Sequence, residues 1–286
     1  MKKNMIKNYF TLTKPGIIFG NAITAAGGFI LASKARIDPW LFLATLMGLS
    51  LLIASACVFN NYIDRNIDKM MERTKNRVLA RGVISLQKAI TFAIFLGLFG
   101  ILLLMLYTNL LTTIIALTGF FIYVVLYSLS KHRSSYATAI GSISGGIPPV
   151  VGYCAVANRF DMGAFLLFMI VALWQMPHFF AIAMYRIDDY VAASIPVLPV
   201  KKGIYVTKVH MLLYIIAFLV PVCMLTIWGY AGYAYLIVVG LLGFSWLLLC
   251  IKGFKNTNDR LFGRQMFRFS LVVIMMLCIM ISISIA

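Results

Sequence analysis

Acidic and amide side chains recur at intervals of four residues where the second apolar stretch of the sequence ends. On a continuous helix, Asn60, Asp64 and Asp68 lie one turn apart on the same face, and Glu72 follows at the same spacing. Carboxylates at that spacing repel each other unless a divalent cation binds between them. Mg²⁺ suits such ligands, because it takes one or two carboxylates and completes its coordination shell with water and phosphate oxygens. The pattern therefore predicts a magnesium site at this helix end.

A second interpretation of these residues is a solvated helix end. Asp68 would then pair with Arg65, and Glu72 with Lys75, and surface pairs of this type contribute little to stability. The basic residues outnumber the three carboxylates, however, and their surplus charge suits a polyanionic substrate. Diphosphate is the natural candidate, since arginine and Mg²⁺ together stabilise charge on phosphate oxygens. The basic residues are Arg65, Lys69, Arg73, Lys75, Arg77 and Arg81.

A second acidic motif follows the sixth apolar stretch. Asp188 and Asp189 are adjacent there, and Lys201 and Lys202 follow after two prolines. An aspartate pair at a helix end is common, so the motif alone indicates little. It becomes informative because the topology derived below places it on the same side of the membrane as the first cluster.

A histidine lies well inside the sixth apolar stretch. His178 precedes Arg186 by eight residues, which corresponds to about 12 Å along a helix. Ionisable residues at that depth are functional candidates by default. Trp174, Tyr185 and Asp189 project from roughly the same helix face, which would connect the imidazole to the acidic cluster. The competing interpretation is a histidine that hydrogen-bonds to a neighbouring helix.

The composition excludes a soluble globular protein. Of 286 residues, 62% are hydrophobic and 12% are charged, and the mean hydropathy is +0.96, whereas soluble domains carry about 25% charged residues. Nine apolar stretches are long enough to cross a bilayer as helices, without the alternation of a β-barrel. We therefore predict an all-α, polytopic membrane protein with a single domain over residues 1–286. The stretches cover residues 15–33, 40–63, 89–107, 110–130, 137–157, 163–185, 209–228, 233–251 and 267–286.

The distribution of basic residues predicts the orientation. With the N-terminus inside and the C-terminus outside, Lys34, Arg36 and Arg159 face outwards, and the other 22 of the 25 Lys and Arg lie on the cytoplasmic side. This asymmetry accounts for the net charge of +17 without nucleic-acid binding. Two long connections, at about 64–88 and 188–208, fall on the cytoplasmic side, and long loops of this kind are typically functional.

The remaining reactive residues carry a weaker signal. Five cysteines are odd in number and far apart, so they predict neither a disulfide framework nor a metal-binding pair. His132 in a loop and His210 at the start of a stretch are expected to be ordinary. In the fifth stretch, three glycines and two prolines within residues 141–149 are expected to break the helix. Broken helices occur in membranes beside protein or a cavity, so we expect this stretch to line the substrate chamber.

Taken together, these motifs resemble the intramembrane aromatic prenyltransferases of the UbiA superfamily. The resemblance rests on Asn-Asn-x-x-Asp-x-x-x-Asp at 60–68, on a second acidic motif after the sixth of nine helices, and on basic residues around both. Within the superfamily, further stretches resemble the protohaem IX farnesyltransferases, and WQMPHF is the most specific of them. The resemblance covers nearly the whole chain. These further stretches lie at 13–16, 72–77, 174–179 and 189–200.

The resemblance implies a UbiA-prenyltransferase-like helix bundle with farnesyl diphosphate as donor, protohaem IX as acceptor and Mg²⁺ as cofactor. The product would be haem O for respiratory oxidases. The resemblance further implies a lipid-embedded protein of the bacterial inner membrane whose active-site mouth faces the cytoplasm. Association with downstream haem-modifying or oxidase-assembly proteins is a further expectation.

Roles for individual residues also follow from the resemblance. Asn61, Asp64 and Asp68 would hold Mg²⁺ and diphosphate, although Asn61 stands where many superfamily members have Asp. Tyr185 likewise replaces the first Asp of the usual Asp-x-x-x-Asp, which leaves the neighbouring aspartates as candidates for a second metal. Those neighbouring aspartates are Asp188 and Asp189. The expected catalytic residues are Asp64, Asp68, Arg65 and Asp189, and the expected diphosphate-binding residues are Asn61, Lys69, Arg73, Arg77 and Lys202. The expected acceptor-binding residues are His178, Trp174 and Tyr185.

Other functions remain open from the sequence. A secondary transporter would also have broken helices, but transporters place ionisable residues near the membrane midplane, whereas these acids cluster at one face. A bis-histidine cytochrome needs more than one well-buried histidine. Within the family, a quinone-type aromatic acceptor is the nearest alternative. The sequence does not separate ligation of haem iron by His178 from orientation of the porphyrin.

Overall fold

The computed structural model describes residues 2–34 and 36–284, with side chains from residue 5 onwards. Twelve α-helices follow one another in these ranges, with a π-helical segment at 122–127 and a 3₁₀ turn at 253–255. The last two residues of the predicted ninth stretch, 285 and 286, lie outside the description. The helices are α1 (Lys2–Leu12), α2 (Pro15–Ser33), α3 (Pro39–Asp68), α4 (Leu86–Tyr107), α5 (Leu110–Phe121), α6 (Ser128–Ser130), α7 (Ala137–Ala157), α8 (Met162–Tyr185), α9 (Ile187–Ala192), α10 (Leu198–Ile227), α11 (Tyr233–Lys252) and α12 (Asp259–Ile283).

Nine helical segments of the described chain are long and apolar enough to cross a membrane, which confirms the predicted number. Several extend beyond the predicted apolar stretches. The second span continues to Asp68, the seventh begins at Leu198, and the ninth begins at Asp259. Hydropathy marks the part of a helix that can lie in lipid, whereas backbone hydrogen bonding continues into polar residues at the interface. The predicted apolar stretches were therefore shorter than the helices that contain them.

The second long connection, predicted at 188–208, is largely helical. Helix α9 occupies its first part, and α10 begins at Leu198, with non-helical dihedral angles at Gly203. The first connection contains more irregular structure, since residues 69–85 lie between α3 and α4. Only this first segment is therefore a long loop.

The expected break in the fifth span is wrong, because α7 runs unbroken through Pro148 and Pro149. The glycines at this interface serve close packing instead. A Cβ on Gly152 would collide with the carbonyl group of Ala25 in α2, and a Cβ on Gly28 would collide with that of Pro149. Small residues allow helix backbones to approach each other in membranes. Helices α2 and α7 thus form a tightly packed pair.

Aromatic side chains fill the interior of the C-terminal half. Trp246, Phe218, Tyr235 and Phe262 are fully buried, and the rings of Phe218 and Trp246 meet edge to face. Many large apolar side chains point outwards instead, among them Trp40. Such a surface is unfavourable in water and suits lipid. The fold is that of an integral membrane protein.

Candidate active site

The end of α3 carries a row of buried polar side chains. Asn60, Asn61, Asp64 and Asp68 are all at least nine-tenths buried. The helix ends at Asp68, so three of the four residues predicted to share a face lie on one continuous helix. Glu72 lies beyond the helix end and is exposed. Burial of two carboxylates requires compensating charge.

The connection after α3 supplies part of that charge. Arg77 Nη1 donates to both carboxylate oxygens of Asp68 at 2.9 Å. The Thr74 hydroxyl donates to the Asp68 carbonyl at 2.9 Å, which folds the connection back over the helix end. The pairing of Asp68 with Arg65, predicted for a solvated helix end, is wrong, since Arg65 donates to the Tyr62 carbonyl. The partner of Asp68 is therefore determined by the connection that folds back over the helix end, and not by the spacing of residues along α3.

The predicted surface pair of Glu72 with Lys75 is present, with 2.6 Å between Nζ and Oε2. The Glu72 side chain is 80% exposed, so this pair contributes little to stability. The backbone of the same residue has a different role, which involves the second acidic motif.

A buried lysine in the connection between α6 and α7 binds Asp64. Lys131 Nζ donates to Asp64 Oδ2, and His132 Nε2 lies 3.4 Å from Asp64 Oδ1. Burial lowers the pKa of Lys131, while the adjacent carboxylate opposes that effect. Burial and the neighbouring Lys131 also lower the pKa of His132, while Asp64 opposes that effect. The expectation that His132 is an ordinary loop residue is wrong, and Lys131 did not stand out in the sequence.

A third cation reaches the cluster from the turn before α2. Lys14 Nζ donates to Asn60 Oδ1 at 2.6 Å. The Lys14 backbone has a φ of 55°, a left-handed conformation that is costly for a residue with a Cβ and is often found at functional sites. Burial and the nearby Arg77 lower the pKa of Lys14 to about 8. Next to it, Asn61 Nδ2 donates to the Leu12 carbonyl at 2.8 Å, which ties α3 to the end of α1.

The second acidic motif contacts the first through one residue of the aspartate pair. The backbone N–H of Glu72 donates to Asp189 Oδ1 at 2.9 Å, and Asp189 is buried. Asp188 is exposed and pairs instead with Arg260 at 2.7 Å. The structure therefore brings Asp189 to the first cluster and places Asp188 against α12.

Three of the other predicted diphosphate-binding residues lie on the surface. Lys69, Arg73 and Lys202 are exposed. Burial raises the pKa of Tyr190, and the nearby Arg73 opposes that effect. Arg73 therefore lies close to Tyr190 of the second motif, and its role in diphosphate binding stays a prediction.

In the described part of the chain, two buried oxygen atoms at the helix end accept no hydrogen bond, although His132 Nε2 lies 3.4 Å from one of them. They are Asn61 Oδ1 and Asp64 Oδ1. Both oxygen atoms of Asp68 are already bound by Arg77. In the described chain no group of three or more His, Cys, Asp and Glu forms a metal site. The two free oxygens nevertheless fit Mg²⁺, which needs few protein ligands when water and phosphate supply the others.

An aromatic cluster surrounds His178 on α8. Its ring stacks on Trp174 with centroids 4.8 Å apart, and Phe267 of α12 lies 5.0 Å away. His178 Nδ1 lies 2.7 Å from Ser270 Oγ, and Trp174 Nε1 donates to the Ser270 carbonyl at 2.8 Å. The hydrogen bond to a neighbouring helix, on which the competing interpretation of His178 rests, is thus present. Tyr185 also contacts Phe267, with ring centroids 5.7 Å apart.

The nine long apolar helices of the described residues, with the buried acidic end of α3, form the architecture of an intramembrane prenyltransferase. The model of the UbiA prenyltransferase family matches residues 21–272. The chain belongs to this family.

Solved structures share the fold at low sequence identity. A structure of digeranylgeranylglyceryl phosphate synthase matches with a TM-score of 0.82 and 20% identity, over 99% of both chains. A UbiA homologue from Archaeoglobus fulgidus bound to GPP and Mg²⁺ matches with a TM-score of 0.68 and 15% identity, over 96% of this chain and 99% of that chain. These matches support the fold assignment.

Relatives of known function match at much higher identity. The protoheme IX farnesyltransferase of Yersinia pseudotuberculosis serotype O:1b is 56% identical over 280 residues, which cover 98% of this chain and 95% of the relative. The protoheme IX farnesyltransferase of Sodalis glossinidius is also 56% identical, over 281 residues with the same coverage.

Proposed function

We propose that this protein transfers the farnesyl group of farnesyl diphosphate to the vinyl group of protohaem IX. The products are haem O and diphosphate. The observation that carries the proposal is the 56% identity, over 98% of the chain, with relatives named protoheme IX farnesyltransferase. The buried acids and the cations around them provide a matching diphosphate subsite.

In this proposal, Asn61 and Asp64 would hold Mg²⁺ through the two oxygens that accept no hydrogen bond from the described residues. When bound, Mg²⁺ neutralises negative charge on the leaving diphosphate. Asp68 aligns Arg77, which has further N–H groups available for phosphate. Lys131 and Lys14 add positive charge from two other parts of the chain.

The outer part of the diphosphate subsite belongs to exposed residues. Lys69, Arg73 and Lys202 attract the diphosphate at the mouth. Arg65 is partly buried and donates to the Tyr62 carbonyl, and its other N–H groups are available for the same anion. Asp189 keeps the connection after α3 in place through Glu72. Its second carboxylate oxygen forms no hydrogen bond with the described residues, so it could act as a metal ligand or orient a cation. Asp188, which is bound to Arg260, has no place in this subsite.

The chemistry needs no protein nucleophile. The allylic C–O bond of the donor breaks, and its electron pair leaves with the diphosphate. The haem vinyl group then bonds to the allylic carbon, and water adds to the resulting cation and loses a proton. The protein supplies orientation and electrostatic stabilisation of the leaving group. Burial of the acidic helix end limits the access of water to the donor.

We assign the acceptor subsite to the aromatic cluster on α8. His178, Trp174 and Tyr185 present rings on one side of that helix, and Phe267 of α12 continues the surface. A flat, apolar macrocycle can stack on such rings. Helical rise puts His178 about 12 Å from the charged end of α8, so the acceptor lies deeper than the diphosphate.

The bacterial inner membrane is the proposed location, with the site facing the cytoplasm. The predicted excess of basic residues on the cytoplasmic side supports this orientation, since the acidic motifs and their cations lie at the same end of the helices. Handover of haem O to downstream haem-modifying or oxidase-assembly proteins remains an associated proposal.

The test is product formation by the purified protein in lipid vesicles. With protohaem IX, farnesyl diphosphate and Mg²⁺, we expect haem O, identified by its mass and retention time. A parallel reaction with a quinone-type aromatic acceptor is expected to give no prenylated product. Prenylation of the second acceptor without formation of haem O would overturn the proposed acceptor and leave the class of enzyme intact.

A further inference from the structure

A chain of hydrogen bonds fixes the protonation of the His178 ring. Ser270 Oγ lies 2.7 Å from His178 Nδ1 and 2.6 Å from the carbonyl oxygen of Phe267. A carbonyl oxygen can only accept, so the single hydroxyl hydrogen of Ser270 points to Phe267. The hydroxyl oxygen must then accept the hydrogen of His178 Nδ1.

The opposite tautomer is disfavoured at these distances. If Nδ1 accepted the Ser270 hydrogen, the hydroxyl and carbonyl oxygens would face each other at 2.6 Å without a hydrogen between them. Two acceptors at that separation repel. A neutral imidazole carries one hydrogen, so Nε2 keeps its lone pair. No residue of the described chain makes a hydrogen bond to Nε2.

The surrounding residues also hold the ring in place. Trp174 stacks on one side of the imidazole and donates from its indole to the backbone carbonyl of Ser270. Phe179 meets the ring edge to face at 5.5 Å. Ser270 is fully buried, so its hydroxyl has no competing water. The ring is therefore fixed in both orientation and tautomer, yet His178 itself remains partly exposed.

We propose that His178 binds the iron of the protohaem substrate through Nε2, and that Ser270 is the positioning residue that keeps the hydrogen on Nδ1. This inference rests on the proposed function, because the iron belongs to the acceptor. Histidine ligands of metals typically donate their other ring N–H to an oxygen, which fixes the tautomer and raises the basicity of the ligand. Neutral imidazole is a common axial ligand of haem iron.

The experiment compares a porphyrin that contains iron with one that does not. Protohaem IX and metal-free protoporphyrin IX have the same macrocycle and side chains, so only iron ligation separates their binding. The full-length protein in lipid nanodiscs is titrated with each compound and followed at the Soret band. Wild type, His178→Asn and Ser270→Ala are compared. Asparagine keeps a donor toward Ser270 and lacks the ring nitrogen that would bind iron.

For His178→Asn we expect protohaem affinity to fall by at least about tenfold and the Soret band to move, while protoporphyrin affinity changes by less than about twofold. For Ser270→Ala we expect a loss of protohaem affinity of about tenfold, in the range seen when the partner of a metal ligand is removed. Unchanged protoporphyrin binding in both variants shows that the aromatic pocket is still folded.

A matched control lies on the same helix. Ser282 donates its hydroxyl to the Cys278 carbonyl at 2.9 Å, so Ser282→Ala also removes an intrahelical hydroxyl bond from α12. We expect this variant to bind both porphyrins as the wild type does. A Soret change in Ser270→Ala that is absent in Ser282→Ala therefore reports the hydrogen bond to His178.

Two contrary outcomes have different meanings. If His178→Asn weakens both porphyrins equally, His178 only packs against the macrocycle, and the inference is overturned even though wild type forms haem O. If wild type neither binds protohaem nor forms haem O in the same nanodiscs, the proposed function fails and the inference falls with it.

Discussion

At the scale of single residues, the candidate site is a cluster of buried acidic side chains, two of which are each paired with a basic side chain. Asp64 is buried against Lys131, and Asp68 is buried against Arg77. Lys14 contributes a third cation beside Asn60. A polyanion can enter such a site because the basic residues are already desolvated and oriented, so little reorganisation is needed when it binds.

Replacement of Asp64 by asparagine should abolish most of the activity. Asp64→Asn removes the charge that holds Lys131 and a proposed Mg²⁺ ligand, and we expect haem O formation to fall by about 100-fold or more. The control is Asp38→Asn, the same chemical change at the other end of α3. Asp38 caps that helix through Trp40 and Leu41, and asparagine caps equally well. Near-normal activity of Asp64→Asn would return this carboxylate to a structural role.

Lys14 makes the affinity for the donor depend on pH. With its pKa lowered to about 8 by burial, Lys14 loses its charge as the pH rises above that value. Affinity for farnesyl diphosphate, measured without acceptor between pH 7 and 9.5, should fall by about tenfold, the scale of one lost hydrogen bond between charged groups. In Lys14→Met the affinity should be lower at pH 7 and nearly flat over this range. An equally steep fall in the variant would contradict the assignment.

Stability should respond to the same titration with the opposite sign. The folded-state pKa of Lys14 is below its unfolded value of 10.5, so between pH 8 and 10.5 the unfolded chain binds more protons. Stability therefore gains from rising pH in that window. The thermal midpoint of wild type relative to Lys14→Met is expected to rise from pH 8 to 10. A constant difference would show that Lys14 is not desolvated.

The sequence analysis identified the acidic residues of this cluster, but it missed the lysine that pairs with Asp64. Asp64 and Asp68 stand out because their spacing of four places them on one helix face. Lys131 is separated from Asp64 by 67 residues, and no local pattern distinguishes it from other basic residues in connections. The pairing depends on how α3 packs beside the segment before α7, which is a tertiary property. His132 was expected to be ordinary because its contact with Asp64 depends on the same packing.

At the scale of helices and connections, Asp189 joins the two halves of the site. Its carboxylate accepts the backbone N–H of Glu72, so it holds the basic connection after α3. Asp189→Asn keeps an acceptor oxygen but loses the charge, whereas Asp189→Ala loses both. We expect trypsin to cleave within residues 69–85 faster in the alanine variant and at the wild-type rate in the asparagine variant. Similar rates in both variants would show that this contact does not hold the connection.

Close packing of α2 and α7 should make Gly152 intolerant of a side chain. A Cβ there would meet the Ala25 carbonyl, and overpacking of this kind typically costs about 1–3 kcal/mol. The thermal midpoint of Gly152→Ala in detergent is expected to fall clearly. Gly240→Ala is the control, since nothing lies within 4 Å of a Cβ at that position in α11. Equal midpoints for the two variants would mean that the interface has room for a methyl group.

The helices themselves were largely predictable, and the outcome in α7 shows where sequence reasoning fails. Long apolar stretches can only be helical in lipid, because every backbone group must be hydrogen-bonded internally. Pro148 and Pro149 favoured a broken helix, but packing against α2 and α8 keeps α7 continuous. Local propensity was overridden by contacts that lie far away in the sequence. The same limit applies to Gly152, whose role appears only in its contact with Ala25.

At the scale of the whole molecule, the site lies at one end of the bundle. Lys14 precedes α2, Asp64 and Asp68 lie near the end of α3, Lys131 precedes α7, and Asp189 follows α8. Successive spans run in opposite directions, so these positions all belong to the same side of the membrane. The connection between α7 and α8, which contains Arg159, belongs to the other side. The geometry of the site thus agrees with the alternation that the basic residues predicted.

Cysteine labelling can test this sidedness together with the orientation. Lys75, Lys201 and Arg159 are exposed, so access to a cysteine at each position depends mainly on which side it faces. Four native cysteines are buried and Cys223 is partly buried, which makes Cys223→Ala a suitable background. A membrane-impermeant maleimide should label Lys75→Cys and Lys201→Cys in inside-out vesicles only, and Arg159→Cys in right-side-out vesicles only.

The labelling results can distinguish a wrong assignment of the site from a wrong membrane orientation. Lys75→Cys and Lys201→Cys that label from opposite sides would contradict both the nine-span topology and a site built from two acidic motifs. All three positions reversed together would leave the site intact and place its mouth outside the cytoplasm. We expect neither, because a reversed chain would expose 22 of its 25 Lys and Arg on the outer side of the membrane, against the strong cytoplasmic bias of basic residues in short loops.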